Sequence, residues 1–598
     1  MSGTKNAISN PGGGLPESAT VSSNSPSRVL RSAQLPALNL KIDPCAPPLG
    51  KDHPAAELPV FIPERVRAER WLSAGLLLMS VAYLAIFCRY STIEPDEGII
   101  LEGAQRILQG QVLYRDFFSF YTPGSYYWTA LLFKIFGNSF VVARLALAVL
   151  GGVLSVICYL LSRRVCSRRV ALLVAALVTL TALPYRFLVL HNWDSTLLAS
   201  VTIYCAVRLL ESPHSGWALG LGSFASWTIL FEQSKGAGLL LGLSLAFVLI
   251  YRSSANAQVF RSKNLIWIAG GLAWPLFVVG AYFAAHQAFD IMLSDWLWPL
   301  RHYTLANHVP YGFQNWSEAE RHAIFSTGPV AFRIIKVLVV SPIFFIPILP
   351  LIGVGPLIYW SVQLRRHRLA GCRASYYVLM TGSFFGLLVS ILVGRADVIH
   401  FMYVLPVFAP MIAWIVDGTD VRSRFFKAVH PVLAAYLVVA LGAFSWPLLI
   451  RARSSSHAIQ TRRSVITTPA RDTVIDYVQF HVPRGEPLLV YPYLPLYNYL
   501  TDTASPTRYD YFQPGMHTPG QANEMIKQLS TRRVPWVLFE SSFQEKIPKS
   551  WPGTPITAVT DDPIADYITD SYRTCQVLSS PSDWKFLFMV RKDLPCPR

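Results

Sequence analysis

Residues 139–162 read SFVVARLALAVLGGVLSVICYLLS, and the seven that follow read RRVCSRR. The first stretch carries a single charge, Arg144. A helix of that length and polarity can cross a hydrocarbon core about 30 Å thick. The residues behind it, Arg163, Arg164, Arg168 and Arg169, are what a cytoplasmic connection is expected to hold. Runs of the same kind recur on both sides, near 71–89, 170–187, 194–210, 216–231, 236–251, 264–285, 330–361, 374–393, 400–416 and 429–450. By the spanning-length criterion they predict about eleven membrane helices. The 330–361 run contains Pro342, Pro347, Pro350 and Pro356, so a kink is expected there.

Composition agrees. Of 598 residues, 52% are hydrophobic and only 15% charged, where ordinary globular chains carry roughly 25% charged residues. Mean hydropathy is +0.37. A soluble enzyme, a coiled coil and a disordered scaffold are excluded as readings of the whole chain. Lys and Arg number 52 against 35 Asp and Glu, a net charge of +17. On so apolar a chain this points to positive loops at a membrane face and not to nucleic acid. The eight cysteines form no CxxC pair and no metal-ligand spacing. Cys575 and Cys596 share the polar C-terminal region, where a disulfide can form if that region lies outside the cytoplasm. Residues 1–65 are rich in Ser, Pro, Gly and Asn and read as a disordered cytoplasmic arm.

Loop charge sets the orientation. With the N-terminus inside, the inner connections hold Arg163 to Arg169, then Arg252, Arg261 and Lys263, then Arg365, Arg366, Arg368 and Arg373, and finally Arg422, Arg424 and Lys427. The outer connections 91–138, 188–193, 232–235, 287–329 and 394–399 have few bases and most of the acids. This is the positive-inside bias. An odd number of spans then puts the C-terminal region outside. The expected layout is a polytopic α-helical membrane domain over 66–453, with a large first outer loop at 91–138, and an α/β domain over 454–598 on the outer side.

Within the first loop, Gly98–Gln109 has an amphipathic helical pattern, with Ile99, Ile100, Ala104, Ile107 and Leu108 set against Glu102, Gln105 and Arg106. Tyr126–Phe136 is apolar but too short to span. It suits a helix lying in the interface, with Tyr126, Tyr127 and Trp128 at headgroup depth. In the tail, helical patterns fall near 471–481, 519–531 and 563–573, and strand-like runs at 487–491, 534–539 and 584–591.

The sharpest local feature is Glu94-Pro95-Asp96-Glu97-Gly98, directly after the first span. Acids at a helix start complement the dipole and satisfy free N–H groups, which is the bland explanation. Three acids within four residues at a membrane surface also suit chemistry, since apposed carboxylates there are costly.

The order of features around this stretch resembles a known family. It runs from a span to Pro-Asp-Glu, an amphipathic helix, Tyr-Arg-Asp-Phe-Phe (114–118), Tyr-Thr-Pro-Gly (121–124), an aromatic helix ending Phe-Gly (136–137), and Ala-Arg-Leu (143–145) in the second span. It is similar to the membrane glycosyltransferases of the GT-C fold, in the branch of protein O-mannosyltransferases and lipid A aminoarabinose transferases. The best match covers roughly 91–165. The resemblance implies a polyprenyl-phosphate sugar donor, inversion at the anomeric carbon, and a catalytic acid in the first outer loop. It maps that role onto Asp96 as the base, with Glu97 beside it. A Glu-Lys-Pro-Pro-type motif of the aminoarabinose transferases is replaced here by Phe-Ser-Phe-Tyr-Thr-Pro-Gly (118–124). Asp116 is the substitute second acid, with a salt bridge to Arg115 or Arg106 as its other reading.

Outer cations are few. Lys235, in Phe231-Glu232-Gln233-Ser234-Lys235-Gly236, can grip a carrier phosphate or pair with Glu232. Arg395 offers a phosphate fork, with Asp397 and His400 to orient it or touch sugar; helix capping is the alternative. Arg144 must be paired inside its span, through a bridge to a loop acid or a ligand. Asp194 is a helix cap or an acceptor contact. The aromatic stretches 491–499 and 506–512 suit either carbohydrate docking or the core of a small domain. No metal or cofactor is called for. The expected partners are the lipid-linked sugar, a glycan, lipid or protein acceptor, and the bilayer of the inner (plasma) membrane, with the site on the extracytoplasmic face. A lipid-linked sugar flippase and a non-catalytic assembly subunit are the alternatives.

Overall fold

The computed structural model describes residues 63–597 except 253–259, 366–371, 418–423, 512, 514, 556, 582 and 583. The arm expected over 1–65 lies outside the described residues but for 63–65, which open the first helix; Arg366, Arg368 and Arg422 lie outside them too. The N-terminal part is helical: α1 (Pro63–Ala85), α2 (Pro95–Leu108), α3 (Gly124–Phe136), α4 (Phe140–Ser162), α5 (Arg168–Leu177), α6 (Leu183–Tyr185), α7 (His191–Glu211), α8 (Ser215–Phe231), α9 (Gln233–Arg252), α10 (Ser262–Ala285), α11 (Phe289–Asn307), α12 (Glu318–Phe325), α13 (Val330–Phe345), α14 (Leu349–Arg365), α15 (Cys372–Val393), α16 (Val398–Asp417) and α17 (Arg424–Ser454). A π-turn at Val178–Ala182 joins α5 to α6, and a 3-10 turn at Ile346–Ile348 joins α13 to α14 at Pro347, where the kink was expected.

Among the described residues, seven helical stretches are long and apolar enough to cross a membrane: Phe140–Ser162, Arg168–Tyr185, Gln233–Arg252, Ser262–Ala285, Val330–Arg365, Ala374–Val393 and His430–Ser454. Of the other four expected spans, three are helices that fall short of that measure: α1 opens with Arg67, Glu69 and Arg70, α7 contains Asp194, Arg208 and Glu211, and α8 has 17 residues. In the fourth, α16, the described side chains form an apolar stretch over Val398–Met411.

The helices meet closely where they lack side chains. A Cβ on Gly238 of α9 would lie 2.3 Å from the Gly386 carbonyl oxygen of α15, and one on Gly386 would lie 2.1 Å from the Gly238 oxygen. Small residues at such crossings let backbones touch, which is how apolar helices gain packing without a hydrophobic driving force. At one end of the bundle Arg168 pairs with Glu69 at 2.7 Å, Arg164 with Glu211 at 3.0 Å, and Ser167 with Asp417 at 2.5 Å. The opposite ends of the same helices carry Arg144, Arg186, His191 and His400. The 23 residues of α4 separate the two ends by about 34 Å at 1.5 Å per residue.

The tail opens with a hairpin, β1 (His457–Gln460) and β2 (Val465–Thr468), followed by α18 (Thr473–His481), β3 (Leu488–Tyr491), α19 (Leu496–Thr501), α20 (Pro519–Arg532), β4 (Trp536–Glu540), α21 (Phe543–Ser550), α22 (Thr557–Thr560), α23 (Pro563–Ser571), β5 (Tyr572–Ser579) and β6 (Lys585–Arg591). The four-stranded sheet runs β3-β4-β6-β5, with β3 and β4 parallel and the other pairs antiparallel. Cys575 and Cys596 are bridged, tying β5 to the last residues of the chain.

The first loop holds one feature that the amphipathic pattern did not reveal and one expectation to correct. The polar face of α2 is not solvated: Glu102, Gln105 and Arg106 are buried, because the tail lies on them. Arg106 pairs with Asp510, and Arg463 donates to Gln105. In α3, Tyr126 faces inward, bonded to Ser119 at 3.0 Å and edge-on to Phe117. The exposed apolar face belongs to Trp128, Leu131, Ile135 and Phe136.

Candidate active site

A cavity of about 880 Å³ lies at the end of the bundle away from the Glu69 and Glu211 pairs. Helix ends supply much of its wall: Asp96 from α2, Arg186 after α6, His191 from α7, Lys235 from α9, Arg395 between α15 and α16, His400 from the first turn of α16, and Arg451 from α17. Trp296 of α11 joins them, and the tail adds Tyr493, Tyr511, Lys549 and Trp551.

The Asp96 carboxylate is positioned by the chain around it. Pro95 occupies the first helical position of α2, and Asp96 and Glu97 fill its first turn, where free N–H groups favour negative charge. The preceding Ile93 is in the left-handed region, with φ 54°. That is costly for a β-branched residue and marks an over-determined segment. The Asp96 side chain is 39% exposed. Its Oδ2 accepts from the Arg186 guanidinium at 3.3 Å, and its Oδ1 accepts from the Tyr493 hydroxyl. Arg186 also reaches Glu94 at 3.3 Å.

Glu97 points the other way. It is fully buried, holds Arg144 through both carboxylate oxygens at 2.5 and 2.6 Å, and accepts from the Val189 N–H at 3.0 Å. Arg144 also donates to the Phe187 carbonyl. This bridge joins α2 and α4 to the chain between α6 and α7, the loop-acid pairing weighed for Arg144. Asp116 is outside the cavity wall too. Arg115 bonds it at 2.8 Å and the Val112 N–H at 2.6 Å. The Arg115 hydrogen bond holds its carboxyl below the usual carboxylate range. Asp194 accepts from Ser125 at 2.5 Å and lies behind the wall.

The expected phosphate grips do gather at the cavity, already engaged with protein partners. Lys235 is buried and donates to Glu232 at 2.9 Å, the Asn192 carbonyl at 3.0 Å, Ser195 at 3.2 Å and Thr196 at 3.3 Å. Arg395 spans three elements, reaching Asp397 at 2.9 Å, Asn307 at 3.3 Å and the Ser550 carbonyl at 2.6 Å. His400 meets the other Asp397 oxygen at 2.6 Å. Burial works against the Asp397 charge, but His400 and Arg395 outweigh it and hold the carboxyl well below its usual range.

Sequence reasoning missed Arg186 and Tyr493. Arg186 closes an apolar run; its signal was a lone cation at the mouth of a span. Tyr493 sits in the aromatic stretch 491–499, weighed as a docking surface or a domain core and not for contact with Asp96. Among the described residues no group of three or more His, Cys, Asp or Glu is placed to hold a metal ion.

Residues 121–283 match the family model described as dolichyl-phosphate-mannose-protein mannosyltransferase. The match overlaps the segment whose motifs carry the resemblance. No curated protein matches the sequence closely enough to count as a relative. Among solved structures, ArnT from Cupriavidus metallidurans bound to undecaprenyl phosphate is 12% identical with a TM-score of 0.48, covering 90% of this chain and 99% of that one. The archaeal oligosaccharyltransferase AglB from Archaeoglobus fulgidus, in complex with an inhibitory peptide and a dolichol-phosphate, is 10% identical with a TM-score of 0.43, covering 88% and 75%.

Proposed function

We propose that this multi-pass membrane protein, which carries the dolichyl-phosphate-mannose-protein mannosyltransferase match over 121–283, is an inverting glycosyltransferase that moves a sugar from a polyprenyl-phosphate carrier to an acceptor hydroxyl. The observation that carries the reading is the half-exposed Asp96 carboxylate, held by Arg186 in a cavity that also gathers Lys235, Arg395 and His400.

In the proposed step the acceptor oxygen bonds to the anomeric carbon while its proton passes to an oxygen of Asp96. The bond from that carbon to the phosphate oxygen breaks on the opposite face, and polyprenyl phosphate leaves. A carboxylate has about four lone-pair sites, so each Asp96 oxygen can accept a further bond beside its present donor. A positioned base contributes typically 10²–10⁴-fold. Lys235 and Arg395, with His400 beside them, supply N–H donors for the departing phosphate, fixed in advance by their own partners. Glu97, Arg144 and Asp194 hold the frame, and Asp116 belongs to the loop surface. The acceptor is a glycan, a lipid or a protein.

The site is assigned to the extracytoplasmic face of the inner (plasma) membrane. Support comes from the arginine-rich connections at the far end of the bundle and from the disulfide in the tail, which suits an oxidising compartment. With α1, α7, α8 and α16 counted as crossings, the spans number about eleven, an odd count that sets the tail on the side opposite the N-terminus.

The test is consumption of donor. Purified protein in vesicles is given radiolabelled polyprenyl-phosphate mannose with membrane extract as acceptor, and free polyprenyl phosphate is measured. Its release, matched by label in acceptor, is expected. Label that crosses the bilayer still attached to its lipid would identify a flippase instead.

A further inference from the structure

The tail does more than cover the cavity. It touches the Asp96 segment at three independent places. The Ser91 N–H donates to the Thr467 carbonyl at 2.9 Å, and the Thr467 N–H to the Arg89 carbonyl at 2.7 Å, so β2 grips the chain just ahead of the left-handed Ile93. Gly98 lies against the backbone of α19, where a Cβ would come within 2.1 Å of the Leu496 nitrogen. Between these two clamps, the Tyr493 hydroxyl donates to Asp96 Oδ1.

We propose that Tyr493 is a positioning residue, through which the C-terminal domain aims the Asp96 carboxylate into the cavity and completes the active site. This rests on Asp96 as the base. Tyr493 suits the role. Its ring is 6% exposed and wedged between Tyr511, 5.0 Å away, and Trp551, 5.2 Å away, so the hydroxyl has little freedom to turn. Burial, with the Asp96 charge beside it, pushes the phenol well above its ordinary value. It therefore stays protonated and can only donate to the carboxylate. Other groups set the field at Asp96: Arg186 in contact with it, Glu94 on the same guanidinium, and His191 and Tyr403 near enough to feel its charge. Of these, Arg186 donates to the opposite oxygen. Two donors from separate elements thus fix the rotation of the carboxylate.

Full-length protein in vesicles is given radiolabelled polyprenyl-phosphate mannose with membrane extract as acceptor, and kcat and the donor KM are measured separately. Tyr493→Phe keeps the ring and removes only the donor. Its kcat is expected to fall roughly tenfold, the size of losing one hydrogen bond to a charged group, with the donor KM unchanged. Tyr572→Phe, which removes a buried hydroxyl of the same domain bonded to the Val534 carbonyl, should leave kcat in place. An unchanged kcat in Tyr493→Phe, or an equal fall in Tyr572→Phe, overturns the positioning role while the base assignment stands. Transfer surviving in Asp96→Asn overturns the base assignment, and the positioning role with it.

Discussion

Asp96 and Glu97 are neighbours with opposite surroundings. Consecutive residues on a helix point about 100° apart, so one carboxylate faces the cavity and the other faces Arg144. Glu97→Gln would leave the Arg144 guanidinium buried without its counter-charge. Removing one partner of a buried pair costs about 3–5 kcal/mol. The expected result is a marked fall in thermal unfolding temperature and in the yield of folded protein. Asp116→Asn lies at the other extreme. Its pair with Arg115 is exposed on the arginine side and half-buried on its own, and transfer should stay close to that of the unaltered protein. The sequence showed that Glu94-Pro95-Asp96-Glu97 was unusual and that Arg144 needed a partner. It did not show which acid took which role, because that depends on the position of α4 and of the chain after α6. Arg186 was hidden for the same reason: its partners are 90 or more residues away.

At the scale of elements, the long spans were legible from length and apolarity, since the bilayer imposes both. Helix α7 was harder to measure that way, because it sits among other helices, where polar groups such as Ser195, Ser200 and Thr202 are buried and bonded within the protein. In the tail, β3, β4 and β6 were legible because their residues are largely buried, whereas β5 was missed. Most of its side chains are not buried, so it offers little hydrophobic alternation. The α9–α15 crossing gives a prediction. Gly238→Val cannot be seated 2.3 Å from a carbonyl oxygen. The helices must part, and Lys235, one turn earlier on α9, must leave its partners. Lower unfolding temperature and lower transfer are expected together. A second prediction concerns α18. Asp472 caps it, accepting from the Ile475 N–H at 2.9 Å and from Tyr497 at 2.9 Å. Burial pushes its carboxyl from 3.8 up to about 7. A folded-state value above the unfolded one means stability fully present below pH 3.8 and lost as pH rises through about 7. Asp472→Asn should flatten that part of the curve of unfolding temperature against pH.

For the whole molecule, the alternation of basic and acidic connections is readable in the sequence, and the helix ends sort accordingly. The docking of the tail on α2 was not readable. The polar face of α2 looks solvated in sequence, and only the arrival of Asp510 and Arg463 turns it into an interface. The disulfide belongs to this scale as well. It closes a loop with a sequence separation of 21, and removing both cysteines by Cys575→Ser and Cys596→Ser should cost about 3 kcal/mol by loop-closure entropy, read as earlier unfolding of the tail. The most direct measurement compares Asp96→Asn with the unaltered protein in vesicles supplied with radiolabelled polyprenyl-phosphate mannose and membrane extract. The account predicts loss of polyprenyl phosphate release in a variant that still folds and inserts. Release at an undiminished rate would contradict it.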